Sequence, residues 1–95
     1  MDTLEYLQNL IGEKYGKISS VCKGGSWLYT KEGKTKICIP KLEPKGKGQV
    51  LERNLSLDLL EEEVLFIETD KGLIVKDGNL YKFYKKEDYT LRWKK

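Results

Sequence analysis

The sequence predicts an α+β fold: an N-terminal helix followed by a mostly antiparallel sheet, drawn either as a meander or as a small, partly open barrel. Three observations carry that expectation. One apolar stripe at helical spacing lies near the start, at Leu4, Leu7, Leu10, Ile11 and Tyr15. The remainder is rich in short runs of aromatic and β-branched residues. Glycines, often beside Asp or Glu, punctuate those runs as hairpin turns do.

Taken in order, Asp2 with Glu5 three residues on resembles a capping box, and Gly16 is a natural C-terminal stop. The spacing therefore predicts a helix over residues 3 to 15. Residues 18 to 23 read as a weak strand broken by Gly24-Gly25. Residues 26 to 30 and 34 to 39 read as a hairpin across Glu32-Gly33, ended by Pro40. The stretch 41 to 48, with one leucine, Pro44, two glycines and three lysines against one glutamate, reads as an exposed basic loop. Residues 50 to 63 are ambiguous. Leu55, Leu57 and Leu59 alternate as in a strand, whereas Ser56 could cap a short helix whose trailing Glu61-Glu62-Glu63 would oppose the macrodipole. The expectation there is a strand running into one helical turn. The last third reads as a four-strand meander: 64 to 69, 73 to 76, 80 to 86 and 89 to 94, with turns at Asp70-Lys71-Gly72, Asp77-Gly78 and Glu87-Asp88. The total is one helix and seven strands.

Ninety-five residues are one domain's worth of chain, and 39% apolar residues are enough for a core. No apolar run is long enough to span a bilayer, and the acidic start lacks the form of a secretory signal, so a cytoplasmic location and no membrane partner are expected. Sixteen of the 18 basic residues are lysine, and alanine and histidine are absent. That composition points to an AT-rich genome such as that of a virus or mobile element. The Lys and Glu content, with little Gln, leans towards a thermophilic or archaeal source.

The missing histidine removes the commonest general base and most catalytic triads. Cys22 and Cys38 alone do not make a structural zinc site. They are expected as free thiols, with a single staple between neighbouring strands as the alternative. Lys45-Gly46-Lys47-Gly48 has neither the spacing nor the hydroxyl of a phosphate loop. Glu43-Pro44-Lys45 matches the acid-x-Lys triplet of metal-dependent nucleases only as text, and Asp58, Glu68 and Asp70 are metal candidates only by elimination. No cofactor, no metal and no catalysis are expected, and a metal-dependent nuclease is a remote third reading.

One constellation supports a function. Residues 71 to 95 hold eight basic and three acidic side chains. Alternation turns Tyr81 and Phe83 to one face of their strand. Aligning the following strand by its apolar face then gathers Lys82, Tyr84, Lys86, Arg92 and Lys94 on the other. Lysines that neutralise phosphates around a ring that stacks on a base suit DNA or RNA. Lys45 and Lys47, and the hairpin bearing Trp27 and Tyr29, would extend the surface. Two other interpretations compete with this one. Lysine on an exposed strand also guards a sheet edge, and Tyr84 would then pack only against lysine stems. Trp27 and Tyr29 equally suit a protein partner or self-association, the alternative function. Trp93 and Tyr89 are expected in the core.

Overall fold

The computed structural model describes residues 2–36 and 40–92. Helix α1, Thr3–Ile11, starts where expected, with the Asp2 carboxylate accepting the Glu5 N–H at 2.9 Å. It ends one turn earlier than the apolar stripe suggests. Gly12, at φ 69°, closes the helix in place of Gly16, its N–H bonding to the Gln8 carbonyl. The Gln8 side chain holds this break. Its amide donates to the carbonyls of Gly12 and Gly16 at 2.9 and 3.1 Å, and its oxygen accepts the Ile18 N–H at 2.7 Å. Three backbone groups between the end of α1 and the start of the sheet are thereby satisfied. Tyr15 still reaches the core from the turn that follows.

Strand β1, Ile18–Lys23, leads through a glycine turn to β2, Trp27–Thr30, and β3, Gly33–Lys36. Strands β4, Lys41–Pro44, and β5, Gln49–Val50, precede helix α2, Arg53–Glu61. The chain then forms β6, Val64–Thr69; β7, Gly72–Asp77; β8, Leu80–Lys85; a 3₁₀ turn, Lys86–Asp88; and β9, Tyr89–Arg92. Seven strands make one antiparallel sheet in the order β3-β2-β1-β6-β7-β8-β5, and β4 pairs with β9 as a separate ribbon. The protein is an α+β fold with a mostly antiparallel sheet. Among the described residues the sheet stays open, with β3 and β5 at its edges.

The two faces of the sheet carry separate cores. One, built on Val21, Ile67, Ile74, Tyr81 and Phe83, is covered by Leu7 and Ile11 of α1 and Leu59 of α2. The other, built on Cys22, Phe66 and Leu73, is covered by Leu42 of β4 and by Tyr89 and Leu91 of β9. Cys22 is a buried free thiol, and desolvation pushes its pKa up. Cys38 and the far end of the 34–39 strand lie outside the described residues, as does Trp93.

The strand expected over 18–23 stands at those bounds and is central, paired with both β2 and β6. Three other expectations need correction. The expected loop 41–48 begins as strand β4, because Leu42 has an apolar sheet face to cover while Lys41 and Glu43 point outward opposite Arg92 and Thr90. Residues 50–63 hold a nine-residue helix, not a strand with one turn. The alternation of leucines was deceptive: Leu57 is 51% exposed, and the partly buried Leu55 and buried Leu59 follow the i,i+4 spacing of a helix. Ser56 is no cap but a buried residue within the helix whose hydroxyl accepts the Tyr81 N–H at 3.2 Å. Finally, β9 pairs with β4 and not with β8. The 3₁₀ turn directs the chain onto the uncovered sheet face, where Tyr89 and Leu91 are worth more than on the β8 edge, which β5 occupies. No helix among the described residues is long and apolar enough to cross a membrane.

Candidate nucleic-acid interface

The redirected β9 takes apart the surface that sequence alternation assembles at the C-terminal end. Tyr81 and Phe83 do face the core together, and Tyr81 donates its hydroxyl to the Val64 carbonyl at 2.6 Å. Tyr84 lies on the opposite face, as alternation requires, but is only 8% exposed. The chain at Gly48 passes directly over its ring: a Cβ added there would lie 2.8 Å from Tyr84 Cζ. The ring is therefore packed and offers no stacking platform. Lys82 points to that same face and pairs with Asp77 at 2.9 Å, which raises its pKa. Arg92 lies on the outer face of the ribbon, paired with Glu43 at 2.8 Å. Lys86 is exposed in the 3₁₀ turn. Lys45 and Lys47 are exposed on the loop beside it, where the Lys45 N–H bonds to the Asp88 carbonyl. Lys94 lies outside the described residues. Those basic residues are thus divided between the ribbon, the 3₁₀ corner and the sheet.

Of Glu43, Asp58, Glu68 and Asp70, Asp58 is exposed on α2 and the other three are engaged elsewhere, Glu43 with Arg92. Asp70 accepts the Lys17 N–H at 2.8 Å, and Glu68 accepts the Ser20 hydroxyl at 3.4 Å. Among the described residues no three His, Cys, Asp or Glu side chains gather closely enough to hold a metal ion.

The structure does bring aromatic rings and lysines together at the β2–β3 hairpin. In β2, Trp27 and Tyr29 lie on one face, because successive side chains alternate. Their partners across the hairpin are Lys36 and Lys34, and Lys23 of β1 stands opposite Trp27 on the other side. Directly paired residues share a face, so two rings and three lysines occupy one patch. The ammonium groups of Lys34 and Lys36 lie 4.9 and 5.0 Å from the Trp27 ring, and that of Lys23 lies 5.9 Å from the Tyr29 ring. Lys31 adds a fourth charge at the hairpin tip, against the single carboxylate of Glu32.

The rings are anchored differently. Tyr29 rests against the core under α1, whereas Trp27 is half-buried beside Gly25. Gly25 takes a left-handed φ of 84°, and a Cβ there would meet the indole at 3.3 Å, so the tight glycine turn seats the ring. Lys23 is partly compensated by Glu62 at 3.6 Å. Among the described residues no carboxylate pairs with Lys31, Lys34 or Lys36. The sequence signal for this site was present, since alternation alone puts Trp27 and Tyr29 together. The cross-strand register that delivers the lysines to them was not readable from one strand.

Comparison with known protein families, curated proteins and solved structures returns no match to this chain.

Proposed function

We propose that this protein is a non-catalytic nucleic-acid-binding module whose principal contact is the β2–β3 hairpin. One observation carries the reading: Lys34 and Lys36 stand within 5.0 Å of the Trp27 ring with no carboxylate to neutralise them among the described residues. At an exposed site a lysine–indole contact is worth about 0.5–1 kcal/mol. A base stacking on an aromatic side chain is worth about 1–3 kcal/mol. A base therefore displaces a lysine from the indole at a net gain, and the released ammonium is already within reach of the adjoining phosphate. The ring and its lysines act in sequence rather than in competition.

Lys31, Lys34 and Lys36 form the minimal set of phosphate contacts. Three neutralised phosphates correspond to a slope of log affinity against log salt of about −2 on a single strand. The exposed lysines at the 3₁₀ corner, Lys45, Lys47 and Lys86, are a secondary contact, and a cytoplasmic location supplies the ligand. The test is an anisotropy titration with labelled single- and double-stranded DNA and RNA at low and physiological salt. Salt-sensitive binding that the Lys34→Glu/Lys36→Glu double variant abolishes, while Lys82→Glu leaves it unchanged, supports the hairpin. No binding at low salt removes the function.

A second reading, a protein-pairing module, has one observation in its favour: β3 is an edge strand exposed along its whole length. Self-pairing along it would oppose Lys34 and Lys36 to like charges. A partner would instead have to supply an acidic strand, and sedimentation of the purified chain alone would then show a monomer.

A further inference from the structure

The same hairpin forms one wall of an open groove of ≈ 750 Å³ against the first turn of α1. Its floor is apolar, formed by Leu4, Ile18 and Tyr29, and its hairpin lip carries Lys31 and Lys34. Lys34 thus serves two places: its ammonium lies over Trp27, and its residue lines the groove. Trp27 and Tyr29 are two residues apart on one face, a separation of about 6.7 Å along the strand. A flat ring seated on Trp27 is therefore followed, one step along the hairpin, by the mouth of the groove. The volume falls within the ordinary range for small-molecule sites, about 300–1,000 Å³.

The ligand that fits is a flat, largely apolar group joined to an anion and repeated at a spacing wider than a stacked duplex allows. In duplex DNA successive bases sit about 3.4 Å apart with their faces covered by their neighbours. A single strand can unstack, offering base faces one at a time. The opposite lip sets the direction of entry. Asp2 is engaged in capping α1, but Glu5, on the same lip, is exposed; it repels a phosphate and accepts hydrogen bonds from a base amine or a sugar hydroxyl.

We infer that the hairpin binds single-stranded nucleic acid, with one base stacked on Trp27 and the adjacent nucleotide in the groove against Tyr29. Lys34 and Lys31 hold the phosphates along the hairpin lip. This rests on the nucleic-acid reading above and adds to it the form of the polymer and the second subsite.

The test uses a 12-nucleotide oligothymidylate and its duplex with oligodeoxyadenylate. In a Trp93→Phe background, Trp27 is the sole indole and reports stacking directly through quenching of its emission. Anisotropy on the unaltered chain gives the affinities independently of that substitution. The expected result is saturable quenching by the single strand, at least tenfold weaker binding of the duplex, and about tenfold weaker single-strand binding by Trp27→Ala than by Trp27→Phe. Thr3→Phe, which narrows the groove from the helix side, should weaken single-strand binding several-fold with an unchanged circular dichroism spectrum. Equal or tighter duplex binding without quenching overturns this inference while leaving a phosphate-binding hairpin intact. Unchanged affinity in Thr3→Phe overturns the groove subsite. Binding of neither polymer at low salt removes the nucleic-acid reading itself.

Discussion

Replacing Tyr81 by Phe should destabilise the protein at neutral pH and stabilise it relative to the wild type in strong base. The Tyr81 side chain is fully buried, and its hydroxyl donates to the Val64 carbonyl at 2.6 Å. Tyr81→Phe keeps the ring and removes the donor, leaving a buried carbonyl unpaired at a cost of about 1–3 kcal/mol. The same burial pushes the Tyr81 pKa from 10.0 up to about 12. The folded pKa lies above the unfolded one, so the unfolded chain releases this proton first as pH rises. The tyrosine's contribution is then fully present below pH 10 and is lost as pH climbs towards 12. That displacement corresponds to about 3 kcal/mol, most of which is gone by pH 12. The neutral-pH deficit of the variant should therefore shrink above pH 10 and reach zero or reverse near pH 12. Urea unfolding of both proteins at pH 7, 9, 10.5 and 11.5 reads this difference. Everything else is common to the two chains and cancels in the difference. A deficit that stays constant from pH 7 to 11.5 would refute the reasoning, since Tyr81 would then ionise in the folded protein as readily as in the unfolded one.

Three further outcomes follow from buried groups. Gln8→Leu should cost about 2–3 kcal/mol in thermal or urea unfolding, because Gly12, Gly16 and Ile18 lose their partners at once; a loss below 0.5 kcal/mol would mean that water replaces the amide. Gly72→Ala should abolish or severely weaken folding, since its Cβ would collide with the Tyr84 backbone carbonyl across the β7–β8 pair, whereas Gly78→Ala, in open space at φ 65°, should cost only about 1 kcal/mol. In a Cys38→Ser variant the remaining thiol, Cys22, should react with iodoacetamide at the rate of global unfolding and accelerate with urea. Rapid alkylation in native buffer would place Cys22 outside the core.

Local patterns were legible and pairings were not. The Asp2 cap, the apolar stripe of α1, the hairpin β2–β3 and the meander β6–β7–β8 each depend on neighbours within a few residues, and each stands in the structure. The errors fell where a distant surface decides. Leu42 and Leu91 are unremarkable in sequence; they form a ribbon because Cys22, Phe66 and Leu73 leave the second sheet face apolar. Ser56 reads as a cap by residue type, yet it is buried because Tyr81, 25 residues away, needs an acceptor. The candidate site followed the same division. The facing of Trp27 and Tyr29 was visible in their i,i+2 spacing, but the lysines that flank them come from β1 and β3 through register.

Lys34 and Lys36 have a second physical use that must be separated from ligand binding. They lie on β3, an exposed edge, and lysine at an edge prevents pairing with another sheet. The two roles respond differently to the kind of substitution. Edge protection needs a charge of either sign, so Lys34→Glu/Lys36→Glu preserves it and Lys34→Gln/Lys36→Gln removes it. Phosphate contact needs positive charge, so both double variants lose it, and the glutamate form loses most through repulsion. A protein in which the lysines only guard the edge should self-associate in the glutamine form, remain monomeric in the glutamate form, and bind nucleic acid in neither form nor as wild type. One in which they serve the ligand should show affinity falling from Lys to Gln to Glu. The two orderings cross, so sedimentation and a titration on the same three proteins separate guarding from binding.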